Sequence, residues 1–159
     1  MKFPDHPALN AHTGFLLRRV SSASFSAFAE IVGTYGLHPM HFGMLMIIEA
    51  EEPISQQELS GRTGIDPSTM VARMDGLDEH GLVARTRSSE DRRSYEIRLS
   101  PSGREVLTEL RRRAKDHGER FFAPLTPSER TQLHELLAKL AAGIDEAECR
   151  RGARSGDEA

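Results

Sequence analysis

Residues 81–103, GLVARTRSSEDRRSYEIRLSPSG, contain two short runs in which apolar and polar residues alternate, separated by a charged segment. The runs LVARTR and RRSYEIRLS have the pattern of the two strands of a β-hairpin, with a turn at SSED. Ser100 and Pro101 follow the second run and predict a helix start, because proline suits the first helical position. We therefore expect a hairpin that leads directly into a helix.

Two short helices are predicted immediately before this hairpin. The sequence SQQE at residues 55–58 is a capping box that starts the first helix, which ends at Gly64. Asp66 is a favourable N-cap and Pro67 a favourable first residue for the second helix, with Gly81 as its C-cap. Two short helices joined by a glycine-containing turn form a helix-turn-helix, and the hairpin that follows makes it winged.

The spacing of apolar residues predicts further helices on both sides of this motif. One long helix is expected over Leu9–Tyr35, a short apolar helix follows it, and two more come after residue 100. The fold class is therefore mainly α with a small β-hairpin wing. The flanking helices carry apolar stripes wider than a small winged domain could cover, which indicates an interface. We expect an N-terminal dimerisation helix at residues 1–36, a winged helix-turn-helix domain at 37–100, C-terminal dimerisation helices at 101–148, and a disordered tail at 149–159.

Composition limits the possible classes of function. The 159 residues fit one domain with additional helices, and no apolar run approaches the roughly 20 residues that cross a membrane. The chain starts without the pattern of a secretory signal, and its single cysteine, Cys149, excludes an intramolecular disulfide. A cytoplasmic protein is the expectation. The net charge of −3 means that any nucleic-acid contact must come from a local basic feature.

The predicted hairpin supplies such a feature. Residues 85–98 contain five arginines and three acidic residues, so the local charge is +2. Arg92 and Arg93 fall at the predicted tip, where a guanidinium could enter the negative minor groove of DNA. We interpret Asp91 as the carboxylate that orients Arg93, and Arg87 and Arg92 as contacts to the DNA backbone. The alternative is a solubilising turn, whose ion pairs contribute under about 1 kcal/mol.

The helix that begins at Pro67 has one apolar face, formed by Met70, Met74 and Leu77. Its other positions in the first turns are small or hydroxyl-bearing, with one long cation. This pattern suits a helix that enters the major groove with its N-terminus first. The alternative is the solvated face of an ordinary helix. The predicted groove and phosphate contacts are Ser68, Thr69 and Arg73.

Together these motifs resemble the MarR family of winged helix-turn-helix transcription regulators. The resemblance covers about residues 55–107 and is most specific in the run GLV…R…DRR…LSPSG. It implies a homodimer with interlocked terminal helices, a major-groove helix that starts at Pro67, and a minor-groove contact by Arg93. It also implies release from double-stranded DNA by a small, often aromatic ligand. A two-fold dimer would bind a pseudo-palindromic operator with half-sites about 10 bp apart, most simply as a repressor.

The histidines raise an alternative within the same fold, a zinc-responsive regulator. His38 and His41 are three residues apart, and His6 and His12 lie upstream. A zinc site needs three or four convergent ligands and no cysteine lies nearby, so we expect no metal and solvated or hydrogen-bonded histidines. By analogy with the family, a further hypothesis assigns an organic-ligand pocket to Arg19, Tyr35, His38 and His41.

No enzymatic activity and no cofactor are expected. The chain has no glycine-rich phosphate loop and no convincing pairing of a nucleophile with a base. The remaining alternative is a winged-helix module that binds another protein. A DNA-binding protein loses affinity steeply with salt, because its arginine contacts release counterions, whereas a mainly apolar protein contact does not.

Overall fold

The computed structural model describes residues 6–87 and 95–155, with side chains described up to residue 144. These ranges contain mostly helix and one small sheet, as the sequence predicts. No helix within them has the length and apolar character needed to cross a membrane. The elements in chain order are α1 (Pro7–Asn10), α2 (Thr13–Gly33), α3 (Pro39–Glu51), β1 (Ile54–Ser55), α4 (Gln56–Thr63), α5 (Pro67–Glu79), β2 (Val83–Arg87), β3 (Tyr95–Leu99), α6 (Pro101–Phe121) and α7 (Pro127–Ser155).

The N-terminal helix differs from the single helix expected over Leu9–Tyr35. α1 ends at Asn10 and α2 begins at Thr13, so residues 11–12 interrupt the helix. His12 takes the N-cap position of α2 with extended backbone angles, φ −103° and ψ 115°. Apolar spacing did not reveal this break, because it carries no information about the backbone angles of the residues between the apolar positions.

The C-terminal helix is longer than expected. The sequence predicts a tail without regular structure from residue 149, whereas α7 continues to Ser155. The segment ECRRGARS at residues 148–155 contains glutamate, arginine and alanine, which favour a helix. Its one glycine costs only about 1 kcal/mol relative to alanine. The expectation of a tail depended on the polarity of these residues, but polar residues can also form a helix.

The predicted hairpin is present, and it belongs to a three-stranded sheet. β2 and β3 pair antiparallel, with Val83 opposite Leu99 and Arg87 opposite Tyr95. β1 was not predicted because it has only two residues; it pairs with the other edge of β3, with Ile54 opposite Ile97. The strand order β1-β3-β2 therefore places β3, the strand that leads into α6, at the centre of the sheet.

The core extends beyond the expected winged domain. Met70, Met74 and Leu77 of α5 are fully buried, as predicted. Val32 of α2 and Leu107 of α6 are also fully buried in the same cluster. The chain accordingly divides into two compact units at the bond between residues 117 and 118. The expected boundaries at residues 36 and 100 differ from this division because α2 and α6 supply side chains to the core.

A hydrogen-bonded junction joins the end of α5 to the start of α6. The hydroxyls of Ser100 and Ser102 both donate to the carbonyl oxygen of Gly81, at 2.7 and 2.8 Å. The Gly103 amide donates to the Ser100 hydroxyl at 2.9 Å. A Cβ atom added at Gly103 would lie 2.0 Å from the Leu82 carbonyl oxygen, so only glycine permits this approach. The LSPSG sequence is thus explained by backbone packing.

We predict that Gly103→Ala lowers the free energy of unfolding by about 2 kcal/mol or more, because the new methyl group must displace backbone. Gly118→Ala is the matched control within α6, since a Cβ atom there would meet no described atom within 4 Å. It should raise stability by up to about 1 kcal/mol. Urea unfolding followed by circular dichroism measures both. Equal stability of Gly103→Ala and the unsubstituted protein would show that the junction is not closely packed.

Candidate nucleic-acid interface

The N-terminus of α5 is fixed by its capping residue. The Asp66 carboxylate accepts hydrogen bonds from the amides of Ser68 and Thr69, at 3.1 and 3.0 Å. It also accepts the Ser68 hydroxyl at 2.6 Å. These bonds, led by the one from the Ser68 side chain, hold the pKa of Asp66 well below its ordinary value. The cap therefore stays ionised and pre-forms the helix end that the sequence assigns to DNA.

One stripe of α5 faces away from the core. It has the i, i+3, i+4, i+7 spacing of a single helix face and is made of exposed residues, Ser68, Val71, Ala72 and Asp75. Of the predicted contacts, Ser68 lies on this stripe and Thr69 is half-buried beside it. Val71 was missed from the sequence, although counting three residues on from Ser68 would have placed it on the exposed side. The stripe is small and contains no basic residue.

Arg73 lies on the flank of α5, outside the exposed stripe. It is half-buried, and its Nε atom is fully buried without a hydrogen-bond partner among the described residues. Its charge lowers the pKa of both His38 and His41, although burial is the larger cause for each. The structure therefore brings this predicted DNA contact toward the two histidines that were assigned to a ligand pocket.

The two histidines form the N-terminal cap of α3. The His38 ring accepts the Met40 amide at 3.1 Å, and the His41 ring accepts the His38 amide at 3.2 Å. They are thus hydrogen-bonded, as expected for structural histidines. His41 is only 5% exposed, and a Cβ atom at Gly76 of α5 would lie 3.0 Å from its ring. His41 is consequently a packing contact between α3 and α5.

The C-terminal end of α5 is held by a third histidine. His80 lies beside Gly36, which has a φ of +70°; a Cβ atom there would lie 2.7 Å from the His80 Nε2 atom. The other ring nitrogen of His80 hydrogen-bonds the Gly76 carbonyl oxygen at 2.7 Å. The turn after α2 and the end of α5 are therefore in direct contact.

The wing is tied to α5 by an ion pair at its base. Arg85 of β2 pairs with Asp78 of α5 and lies 3.7 Å from Asp75. Arg87, a predicted DNA-backbone contact, is exposed at the end of β2. The positive charge of Arg85 therefore offsets the negative charges of Asp75 and Asp78, which would otherwise repel the phosphates of DNA. The predicted tip residues Asp91, Arg92 and Arg93 lie outside the described residues.

A shallow groove lies where α4 meets the start of α5. Its volume is about 450 Å³, and Gln56, Gln57, Ser60, Pro67 and Met70 line it. The predicted capping box is also present here, because the Ser55 hydroxyl accepts the Glu58 amide and the Glu58 carboxylate accepts the Ser55 amide. The start of α4 thus presents two glutamine side chains to the groove, opposite Pro67 and Met70 of α5.

The remaining residues of the predicted ligand pocket have their own contacts. The guanidinium of Arg113 lies 5.3 Å from the centre of the Tyr35 ring. Arg19 donates to the Asn10 side chain at 3.3 Å. Within the described part of the chain, no three histidine, cysteine, aspartate or glutamate residues are placed to hold a metal ion.

The capped helix α5, the preceding helix α4 across a tight turn, and the β2/β3 hairpin define this chain as a winged helix-turn-helix protein. The comparisons with known proteins agree with that class. A model of the MarR family matches residues 35–94. A Thauera aromatica protein, assigned to the hcr operon as its transcriptional regulatory protein, is 34% identical over 136 residues, which are 85% of this chain and 82% of that protein. The transcriptional repressor MprA of Escherichia coli K12 is 27% identical over 75% of this chain and 69% of its own length.

Solved structures show the same likeness. The transcriptional repressor CouR, bound to a 23-mer DNA duplex, superposes with a TM-score of 0.78 and 30% identity, over 88% of this chain and 99% of that chain. The PcaV regulator of Streptomyces coelicolor, in complex with its natural ligand, gives a TM-score of 0.73 and 26% identity, over 91% and 99%. The chain belongs to the MarR family. It is a DNA-binding transcription regulator, and members of this family are not enzymes.

The burial of His41 predicts a dependence of stability on pH. Burial lowers the pKa of His41 from its ordinary 6.5 to about 4, so the unfolded chain binds more protons between these values. The free energy of unfolding therefore falls as pH falls through this window. From about pH 7.5 to about pH 5.5, His41 should account for a loss of about 1 kcal/mol.

Urea unfolding of His41→Gln at the two pH values measures this contribution, since glutamine cannot gain a proton yet can still accept the His38 amide. His134→Gln, at an exposed position of α7, is the matched control. The pH dependence should shrink only in His41→Gln. If both variants retain the full dependence, another group is responsible for it.

Proposed function

We propose that this chain is a ligand-responsive repressor that acts as a homodimer on a pseudo-palindromic operator. The observation that carries the proposal is the exposed, capped and small-residue stripe of α5, set beside a wing strand that ends in the exposed Arg87. The likeness to CouR, a repressor whose solved structure contains a DNA duplex, supports the same conclusion. A helix of this kind can lie close to base edges, since no long side chain on the stripe holds it away.

The DNA contacts divide between the helix and the wing. At the start of α5, Ser68 and Thr69 would contact the groove edge and phosphates, together with the helix N-terminus, which favours negative charge. Arg73, on the flank, would approach a phosphate. On the wing, Arg87 and Arg92 would contact the DNA backbone, and Arg93, oriented by Asp91, would enter the minor groove.

We predict that Arg93→Ala weakens operator binding by about 1–3 kcal/mol for each half-site, because a guanidinium is removed from the most negative part of the groove. Operator DNA is first selected from a random pool, and affinity is then measured by fluorescence anisotropy. Arg112→Ala is the matched control: it removes the same charge from α6, where Arg112 pairs with Glu109 and Asp116.

The same measurement at several salt concentrations tests the class of function. Binding to DNA through arginines should weaken steeply with salt, and Arg93→Ala should reduce that slope. Full operator affinity of a folded Arg93→Ala protein would overturn the wing assignment. If no DNA is selected at all, the winged helix is better explained as a module that binds another protein.

The homodimer is supported by apolar residues that each unit leaves exposed. α2 exposes Leu16, Leu17 and Val20. α7 exposes a separate stripe of leucine and isoleucine at helical spacing, formed by Leu136, Leu137, Leu140 and Ile144. Exposed stripes of this kind indicate interfaces, and a second copy of the chain is the partner that a palindromic operator requires.

We predict that Leu140→Glu shifts the protein from dimer to monomer, because the interface would have to bury an unpaired carboxylate. Ala138→Glu is the matched control, since it adds the same group on the opposite side of α7. Sedimentation velocity gives the mass of each variant, and circular dichroism confirms helix content. A dimer of unchanged stability in Leu140→Glu would place the interface elsewhere.

The proposed effector is a small organic, aromatic molecule. Its proposed contacts remain Arg19, Tyr35, His38 and His41. The half-buried Tyr35 ring beside the Arg113 guanidinium supports this assignment, because such a pair can stack on an aromatic ring and bind its carboxylate. PcaV, a structural relative of this chain, was solved with its natural ligand. Adding phenols and aromatic carboxylates to the protein–operator complex, with release followed by anisotropy, tests the effector class.

A further inference from the structure

The exposed stripe of α5 is apolar at its centre. Val71 is 50% exposed, and Ala72 lies next to it, one turn after Ser68. The neighbouring residues Met70 and Met74 are fully buried and supply the side chains of this part of α5 to the core. Val71 is not part of the core. Valine in a helix is nearly fixed in one rotamer, so its two methyl groups have a defined position before any partner binds.

The polar groups near Val71 are engaged elsewhere. The Ser68 hydroxyl is used in the cap, at 2.6 Å from the Asp66 carboxylate. Asp75, at the far end of the stripe, lies 3.7 Å from the Arg85 guanidinium. Arg73, the long cation of these turns, is half-buried on the flank that faces α3. The part of α5 that would lie deepest in a groove therefore offers methyl groups and no long hydrogen-bond donor.

In the major groove, this surface matches one base. Thymine presents a C5-methyl group there beside its O4 acceptor, whereas the edges of adenine, guanine and cytosine present donors and acceptors without a methyl group for an apolar side chain to contact. We propose that Val71, supported by Ala72, reads a thymine methyl group in each operator half-site. This inference rests on the proposed function, since it requires that α5 lies in the major groove.

The decisive experiment replaces thymine with deoxyuridine in the selected operator. This change removes only the methyl group and preserves base pairing and phosphate charge. Burial of one methyl group corresponds to an affinity change of roughly three- to fivefold. We therefore expect uridine at one thymine position of each half-site to weaken binding of the unsubstituted protein by roughly tenfold or more for the dimer. Uridine outside the half-sites is the DNA control and should change nothing.

Protein variants then assign the methyl contact to its residue. Val71→Ala should bind the thymine and uridine operators equally, while it remains folded, because position 71 is exposed. Val71→Thr retains one methyl group and should show an intermediate ratio. Arg112→Ala, on α6, where Arg112 pairs with Glu109 and Asp116, should keep the full thymine-to-uridine ratio even if total charge alters its affinity.

Two results would overturn the inference while leaving the proposed function intact. The first is salt-dependent, sequence-selective binding in which every uridine operator binds as tightly as its thymine counterpart. The second is a Val71→Ala protein that keeps the full discrimination, since another residue would then read the methyl group. Failure of the unsubstituted protein to select any DNA would remove the proposed function itself, and the inference with it.

Discussion

The structure depends on one short junction between the end of α5 and the start of α6, the helix after the wing. Two serine hydroxyls, from Ser100 and Ser102, donate to the same carbonyl oxygen at Gly81. The missing side chain of Gly103 lets α6 approach the backbone of Leu82. Because β3 lies in the middle of the sheet and ends at this junction, the wing, α5 and α6 share a single fixed point. Their relative geometry therefore follows from two short serine side chains and one close backbone approach.

Further contacts hold α5 along its whole length. Its buried methionines and Leu77 fill the core, the His41 ring packs beside Gly76, and Arg85 joins its acidic half to the wing. Its C-terminal end contacts the turn at Gly36. These contacts connect α5 to α2, α3 and β2 at the same time. If α5 contacts DNA and an effector causes release, as we propose, a change in how α2 packs would have a direct route to α5.

Much of this architecture can be predicted from the sequence. Asp66, Pro67 and Gly81 define α5 because their local chemistry favours helix ends, and the alternation around residues 83–99 gives the hairpin. The pairing of β1 with β3 could not be predicted, because two residues have no periodicity. The orientation of Arg73 could not be predicted either. A flank position can face solvent or a neighbouring helix, and the choice depends on where α3 packs.

The separation of the two faces of α5 has a consequence for how such a regulator diversifies. The residues that hold the helix, such as Met70 and Leu77, are buried in the core cluster, whereas Val71 and Ala72 are exposed. If α5 reads the operator as we propose, substitutions at the exposed positions would alter the choice of DNA target at little cost in folding. Related regulators with this fold could bind new operators after single substitutions at Val71 or Ala72, while the buried residues of α5 stay the same.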